Sequence, residues 1–197
     1  MKPVAVTDGA VLSVVVVRVA GMSSFSGWAV VDLDEGRDPG EFVGVLCDAC
    51  SDPLRVYVDG RRVFVLADFA PQFSAVVDGL VPHWARRAIT AADYDEYGVE
   101  NTVLGPEAQA VHVASISEEI EGLPDADTPQ TRRAAAELFG VRPEALDEVS
   151  ATWAEEGPMP SCIGEPYLRW WAALGAAWPE DFGTRSFDPR EKSAGTP

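Results

Sequence analysis

Residues 54–68 read LRVYVDGRRVFVLAD, and this stretch decides the fold. Apolar and polar residues alternate around Asp59-Gly60, a dipeptide favoured in two-residue hairpin turns. The pattern predicts a β-hairpin with strands at 54–58 and 61–68. The predicted register pairs Val58 with Arg61, Tyr57 with Arg62, Val56 with Val63, Arg55 with Phe64 and Leu54 with Val65. Residues that pair across two strands have their side chains on the same face of the sheet. One face of the hairpin is therefore apolar and contains Leu54, Val56, Val63 and Val65.

The segments before the hairpin predict two strands and a helix. Residues 11–19 (VLSVVVVRV) form a nearly continuous β-branched run, typical of a strand buried on both faces. A Gly/Ser-rich loop at 21–27 leads to a second predicted strand at 28–33, antiparallel to the first. Pro39 opens a predicted helix, since proline suits the first helical turn. The core-facing stripe of this helix is expected to contain Phe42, Val45, Leu46 and Ala49.

The segments after the hairpin begin with a predicted helix at 71–87, kinked or split by Pro82. Its inward residues are expected to be Phe73, Val76, Val77 and Leu80. Residues 90–97 predict a short helix with Thr90 as its N-cap, and 111–116 predict a short strand.

Beyond a turn-rich segment at 122–129, the pattern is helical. Helices are predicted at 129–139, ended by Gly140, and at 143–153 and 165–178. One side of the last helix is expected to contain Tyr167, Leu168, Trp171, Leu174 and Trp178. The polar tail from Gly183 is predicted to be disordered.

These elements predict an α+β fold with a small antiparallel sheet in β-β-α-β-β-α order. Residues 1–122 would form the sheet-containing unit, 123–182 a helical portion packed on it, and 183–197 the tail. The helical portion is expected to pack on the sheet-containing unit through Trp153, Trp171 and Trp178. We expect one structural unit, because the second group of helices is too small for an ordinary core of its own.

Acidic residues are concentrated in one part of this 197-residue chain, whose net charge is −17. Residues 88–168 contain 17 Asp or Glu and three Arg, a net of −14, whereas residues 1–87 have a net of −3. A field of this sign repels phosphate and anionic lipid and attracts basic surfaces. Residues 131–146 have the pattern of a helix-turn-helix, but the candidate recognition helix at 143–153 carries acids and no base. We therefore expect a plain αα-hairpin and no nucleic-acid binding.

Composition bears on the host and the compartment. Two Lys against 13 Arg, with abundant Ala, Val and Gly, is typical of a high-GC bacterial genome. No apolar run reaches the roughly 18 residues of a membrane helix. The N-terminus only weakly resembles a signal peptide, because Asp8 interrupts its apolar region. Three cysteines form no disulfide framework, so a reducing cytoplasm is the expected location.

Three groups of residues are candidate reactive sites. Cys47 and Cys50 form a lone CxxC late in a predicted helix, where the helix dipole opposes a thiolate, and no second ligand pair accompanies them. We expect no metal or cofactor there. The segment HWARR at 83–87 offers an anion site, but we expect its arginines to cap a helix and to pair with Asp93, Asp95 or Glu96. Asp32 and Asp34 follow a strand but lack the further ligands of a calcium loop.

Two functions from different classes remain. The first is a non-catalytic protein-binding module, such as an adaptor, inhibitor or immunity-type protein, that docks on a basic partner surface. Its contact residues are expected on one side of the helix at 143–153 and just beyond it: Glu144, Asp147, Glu148 and Glu155. The second is a small enzyme with an acidic cleft and an unknown reaction, with Asp32, Asp34 or the cluster around His83 as its chemistry. The sequence favours the first, because no nucleophile is paired with a base.

Overall fold

The computed structural model describes residues 25–68, 72–94, 98–117, 125–156 and 165–193. The predicted strand at 11–19 and the loop at 21–24 lie outside these residues. Six strands and seven helices occur in the described ranges. In chain order they are β1 (Ser26–Leu33), α1 (Pro39–Ala49), β2 (Leu54–Asp59), β3 (Arg62–Asp68), α2 (Phe73–Trp84), β4 (Ala85–Asp93), β5 (Val99–Leu104), β6 (Ala110–Ile116), α3 (Pro129–Phe139), α4 (Pro143–Glu156), α5 (Glu165–Ala173), α6 (Phe182–Arg185) and α7 (Pro189–Ser193).

The strands form one antiparallel sheet in the order β2-β3-β1-β4-β5-β6. Helices α1 and α2 cover one face, where their apolar residues join a core with alternate residues of the sheet. Helices α3, α4 and α5 cover the other face and form a second, more aromatic core. The predicted α+β fold with a helical C-terminal portion is confirmed.

The hairpin forms, but its register differs from the predicted one by two residues. Asp59 pairs with Arg62, Val58 with Val63 and Val56 with Val65, so the turn residues are Gly60 and Arg61. Gly60 has a φ of 59°, and Arg61 is not in the left-handed region. Glycine at the first turn position tolerates this backbone, as in a type II′ turn. Because side chains alternate with period two, the shift keeps the predicted apolar face intact.

Helix α1 begins as predicted, with the Asp38 carboxylate accepting a hydrogen bond from the Glu41 amide. Its buried stripe is rotated from the predicted one. Phe42 and Leu46 are buried as predicted, but Val45 and Ala49 are exposed and Val43 is buried instead. Helix α2 contains Pro82 in its last turn and ends two residues later.

Strand β4 corrects the short helix predicted at 90–97. Residues 88–93 of the strand are all buried, because β4 lies between β1 and β5 and helices cover both faces of the sheet. Its alanines suit a helix by propensity, but small residues also fit a strand that is covered on both sides, and tertiary packing decides. Strand β5, its neighbour, is absent from the sequence prediction, whereas β6 matches the strand predicted at 111–116.

The helical layer is held by aromatic packing. Tyr167, Trp170 and Trp171 of α5 are fully buried, and the Trp171 indole donates a 2.7 Å hydrogen bond to the Asn101 side chain on β5. Trp178 is half-buried and packs edge-on to Trp28 of β1, with ring centroids 4.8 Å apart. The predicted contact through the tryptophans is present.

Helix α5 ends five residues earlier than predicted. Gly175 has a φ of 68°, and the Ala176 amide bonds back to the Trp171 carbonyl at 2.8 Å. This left-handed glycine closes the helix, as glycine commonly does one residue past a helix end.

The sequence predicts that the tail from Gly183 is disordered, but the structure gives residues 183–193 a defined conformation that includes most of α6 and all of α7. Between α6 and α7, Phe187 exchanges two backbone hydrogen bonds of 2.9 Å with Val56 of β2. The Arg190 guanidinium bonds to the carbonyls of Cys50 and Asp52, next to the end of α1. Residues 182–193 therefore lie along β2, and we call them the C-terminal strap. Among all the described helices, none has both the length and the apolar character needed to cross a bilayer.

Candidate functional site

The acidic residues predicted to bind a partner lie on α4. Glu144, Asp147 and Glu148 are exposed, and their spacing of three and four residues places them on one side of the helix. Glu155 lies in the last turn of the same helix, and its side chain is outside the described part of the structure. The opposite side of α4 packs inward through Leu146 and Trp153.

Arg132 of α3 partly neutralises this face. Its guanidinium donates to the Asp147 carboxylate at 2.6 Å and, through another nitrogen, to the Asp127 carboxylate at 2.6 Å. Glu144 and Glu148 have no such partner among the described residues. Among the described side chains of α4, the unpaired negative charge is therefore centred on Glu144 and Glu148, with Asp147 held in place by Arg132.

Asp127 is the centre of a polar network beneath this face. Besides Arg132, it contacts His112 of β6 through Nε2 at 3.1 Å and accepts a hydrogen bond from the Ser150 hydroxyl of α4. Burial raises the pKa of Asp127, but the hydrogen bonds from His112, Ser150 and Arg132 outweigh it and lower that pKa from 3.8 to about 2. The network joins β6, the loop before α3, and helices α3 and α4. It therefore fixes the position of the α3–α4 hairpin on the sheet.

The network has serine, histidine and aspartate, but their order does not suit nucleophilic catalysis. In a catalytic triad the imidazole lies between the serine and the carboxylate and takes the proton of the serine. Here the Ser150 hydroxyl bonds directly to Asp127, whose low pKa makes it a weak base. His112 is 1% exposed and packs against Trp170, with ring centroids 4.6 Å apart. These contacts indicate a structural role.

A second charged cluster lies at the end of β1. Cross-strand pairing places Asp59, Arg62, Asp32 and Arg87 side by side on β2, β3, β1 and β4. This row of alternating charge, which we call the charge ladder, is centred on Asp32. The buried carboxylate of Asp32 accepts hydrogen bonds of 2.6 and 3.0 Å from Arg62 and of 2.6 Å from Arg87.

Both arginines of the charge ladder also bind the helical layer. Arg62 donates to the Gly175 carbonyl at 2.7 Å, just past α5, and Arg87 donates to the Leu138 carbonyl at 2.6 Å in the last turn of α3. Carbonyls at a helix C-terminus lack partners within the helix, and cations there are favourable. The charge ladder thus connects the sheet to the ends of two helices.

Asp32 consequently serves as the shared counter-charge of two arginines, which makes its carboxylate a weak base. Burial raises its pKa, but the hydrogen bonds and positive charges of Arg62 and Arg87 outweigh this and hold the pKa below its ordinary value. Asp34 lies two residues beyond it, past the end of β1, is half-buried, and has no side-chain partner in common with Asp32 among the described residues. The structure therefore does not join Asp32 and Asp34 in one site.

The basic segment at 83–87 is placed differently from the prediction. Arg87 pairs with Asp32 and not with Asp93, while Arg86 is exposed with its NH2 atom 3.9 Å from Asp32. Asp95 and Glu96, the other predicted partners, lie outside the described residues. The predicted pairing with Asp93 was wrong because residues 85–87 begin β4, and the register of β4 against β1 places Arg87 beside Asp32.

Cys47 and Cys50 lie where the sequence places them, at the end of α1. Both are thiols; Cys50 is buried and Cys47 is half-buried. Burial raises the pKa of each, which disfavours the thiolate needed for metal binding or redox chemistry. Within the described ranges, no three His, Cys, Asp or Glu residues come together in a way that suits a metal ion.

Sequence reasoning missed the network around Asp127 and the partners of Asp32. The sequence gives little sign of the Asp127 network, because Asp127 lies in a turn-rich segment and Ser150 in a helix, and neither belongs to a recognisable motif. Arg62 and Arg87 each lie near the start of a strand, but only the strand register shows that both pair with Asp32.

Comparison with known proteins finds no matching family model, no matching curated protein and no matching solved structure.

Proposed function

We propose that this chain is a non-catalytic protein-binding module that docks on a basic partner surface through the acidic face of α4. The observation that carries the proposal is the exposure of Glu144, Asp147 and Glu148 on one side of one helix. That helix is anchored through Ser150, Asp127 and Arg132, so the carboxylates are presented from a fixed support.

Charge supports this function in two ways. The chain has a net charge of −17, which steers basic partners toward it and repels nucleic acid and anionic lipid. The exposed carboxylates of α4 then supply short-range ion pairs at the interface. We place the protein in the cytoplasm as part of this proposal, because Cys47 and Cys50 are thiols and a reducing compartment keeps them so.

The alternative, a small enzyme with an acidic cleft, has less support. Its candidate base Asp32 already accepts hydrogen bonds from Arg62 and Arg87, and its candidate histidine, His83, is exposed on α2. Each residue considered for catalysis has either a structural partner or no neighbouring reactive group among the described residues.

The test removes the charge of the acidic face without changing its shape. Glu144→Gln, Asp147→Asn and Glu148→Gln are combined in one variant, which is used as bait in affinity capture from the native cells. The matched control combines Glu35→Gln, Asp48→Asn and Glu107→Gln, which remove the same charge from exposed positions elsewhere.

We expect a partner that the wild type and the control retain and that the α4 variant loses. Capture should also weaken between low salt and about 0.15 M, where the Debye length is about 8 Å. A partner held equally by all three proteins, at both salt concentrations, would exclude α4 as the docking face.

A further inference from the structure

A small cleft opens beside the charge ladder, at the end of the sheet where β1 ends. Its volume is about 280 Å³. The cleft is lined by residues from the end of β1, the β2–β3 turn and the start of β4: Asp32, Leu33, Asp59, Arg61, Arg62 and Arg86. Two backbone hydrogen bonds fix these segments together, from the Leu33 amide to the Arg61 carbonyl at 3.0 Å and from the Asp34 amide to the Trp84 carbonyl at 2.9 Å.

The arginines around the cleft fall into two classes. Arg62 and Arg87 are engaged, since each bonds to Asp32 and to a helix-end carbonyl. The side chains of Arg61 and Arg86 donate no hydrogen bond within the described structure. Arg61 is exposed, and its side chain has no acceptor among the described residues. The Arg86 side chain is 55% exposed and reaches Asp32 only at 3.9 Å, beyond hydrogen-bond distance.

The charge of the cleft is opposite to that of the chain. Its lining contains three arginines and two aspartates, whereas the whole chain has a net charge of −17. Asp32 accepts three hydrogen bonds from Arg62 and Arg87, and within the described structure it accepts none from Arg61 or Arg86. Guanidinium groups present paired N–H donors whose geometry matches the oxygens of carboxylates and phosphates.

We propose that this cleft binds a small oxyanion, a carboxylate or phosphate group, between Arg61 and Arg86. Asp59, on the turn side of the cleft, accepts a hydrogen bond from a hydroxyl or ammonium group of the same ligand. The volume lies just below that of typical drug-sized pockets, so the ligand is of metabolite size. At about 0.15 M ionic strength the distant acids are largely screened, while the two arginines act within hydrogen-bond distance.

This binding site is separate from the acidic face of α4, and neither proposal depends on the other. The test is a titration of the full chain with inorganic phosphate, and separately with acetate, against chloride at equal ionic strength. Backbone amide chemical shifts are followed by NMR. We expect saturable shifts at Gly60, Arg61 and Arg86 with at least one of the two anions.

The variant Arg61→Gln with Arg86→Gln removes both free guanidinium groups. Affinity should fall about tenfold or more, since a hydrogen bond to a charged group contributes about 1.5–3 kcal/mol and 1.4 kcal/mol is tenfold. The matched control, Arg133→Gln with Arg142→Gln, removes the same charge from exposed positions on the helical layer. It should keep the wild-type affinity.

Folding is not at risk, because neither Arg61 nor Arg86 makes a hydrogen bond through its side chain within the described structure; the amide spectrum of the variant checks this. Wild-type protein whose shifts saturate with neither anion would overturn the proposal. Equal affinities in the two double variants would do the same.

Discussion

The charge ladder makes Asp32→Asn the most informative single change in the sheet. The substitution keeps the size of the side chain and removes the negative charge between Arg62 and Arg87. An amide has one oxygen where the carboxylate has two, and its NH₂ group faces guanidinium donors. At least one of the three short hydrogen bonds to Asp32 is therefore lost, and both arginines lose their counter-charge.

The expected loss of unfolding free energy is about 2–4 kcal/mol. Removing one partner of a buried ion pair costs about 3–5 kcal/mol, because the remaining charge stays buried. The Asp32 side chain is 5% exposed, but Arg62 and Arg87 are 24% and 14% exposed, so water partly solvates them in the variant. We lower the range for that reason. In a chain of this size, about 1 kcal/mol shifts the melting temperature by about 2–4 °C.

Urea unfolding at neutral pH measures this effect, with Asp34→Asn as the control. Asp34 also follows the apolar part of β1 but forms no ion pair among the described residues. We expect Asp32→Asn to lower the urea midpoint at unchanged slope, and Asp34→Asn to change the unfolding free energy by less than about 0.5 kcal/mol. If the two variants were equally stable, the charge ladder would not hold the layers together.

The pKa of Asp32 adds a second measurement. Because the folded-state pKa is below the ordinary value of 3.8, the carboxylate stabilises the protein fully above that pH. This contribution is lost as the pH falls through the lower, folded-state pKa. The difference in stability between wild type and Asp32→Asn should therefore be constant near neutral pH and shrink below about pH 4. A difference that is unchanged at low pH would contradict the assignment.

Three further predictions concern the helical layer and the cysteines. Trp171→Ala should cost about 3–5 kcal/mol, because the ring is fully buried; unchanged thermal stability would refute its place in the core. The ionised Asp127 carboxylate should contribute about 2 kcal/mol to the free energy of unfolding, because its pKa is lowered from 3.8 to about 2. The wild type should lose this contribution as the pH falls from 4 to 2, and Asp127→Asn should lack it at every pH. Acid unfolding curves that coincide for the two proteins would refute this. Cys47 and Cys50 should bind no metal, so stoichiometric zinc by elemental analysis of the purified protein would show the interpretation to be wrong.

The parts of the fold that were predictable from sequence have strong local signals. Helix α3 matches its predicted bounds, because Thr128 caps its start and Gly140 closes its end. The hairpin faces were correct despite the wrong register, since a period-two pattern survives a shift of two residues.

The errors have local causes as well. The part of strand β4 from Thr90 onward was predicted as a helix because Thr90 resembles an N-cap residue, and only the sheet around it selects the extended form. The end of α5 was missed although Gly175 marks it, because the apolar spacing continues to Trp178.

The candidate sites were less predictable than the fold. The exposure of Glu144 and Glu148 follows from helical spacing and was foreseen. The partners of Asp32 lie 30 and 55 residues away in the chain, on strands whose order the sequence does not reveal. The cleft beside them was not foreseen, because three separate segments form it.

The C-terminal strap has a consequence for self-association. Among the described strands β2 lies at one edge of the sheet, and its outer side would otherwise present backbone donors and acceptors to other chains. Phe187 occupies those groups at Val56, while Arg55 holds Ser186 through hydrogen bonds of 2.8 and 3.1 Å. A chain shortened after Asp181 would leave the backbone groups of Val56 without Phe187, so we expect it to associate with a second copy at this edge more than the full chain does, as sedimentation at equal concentration would show.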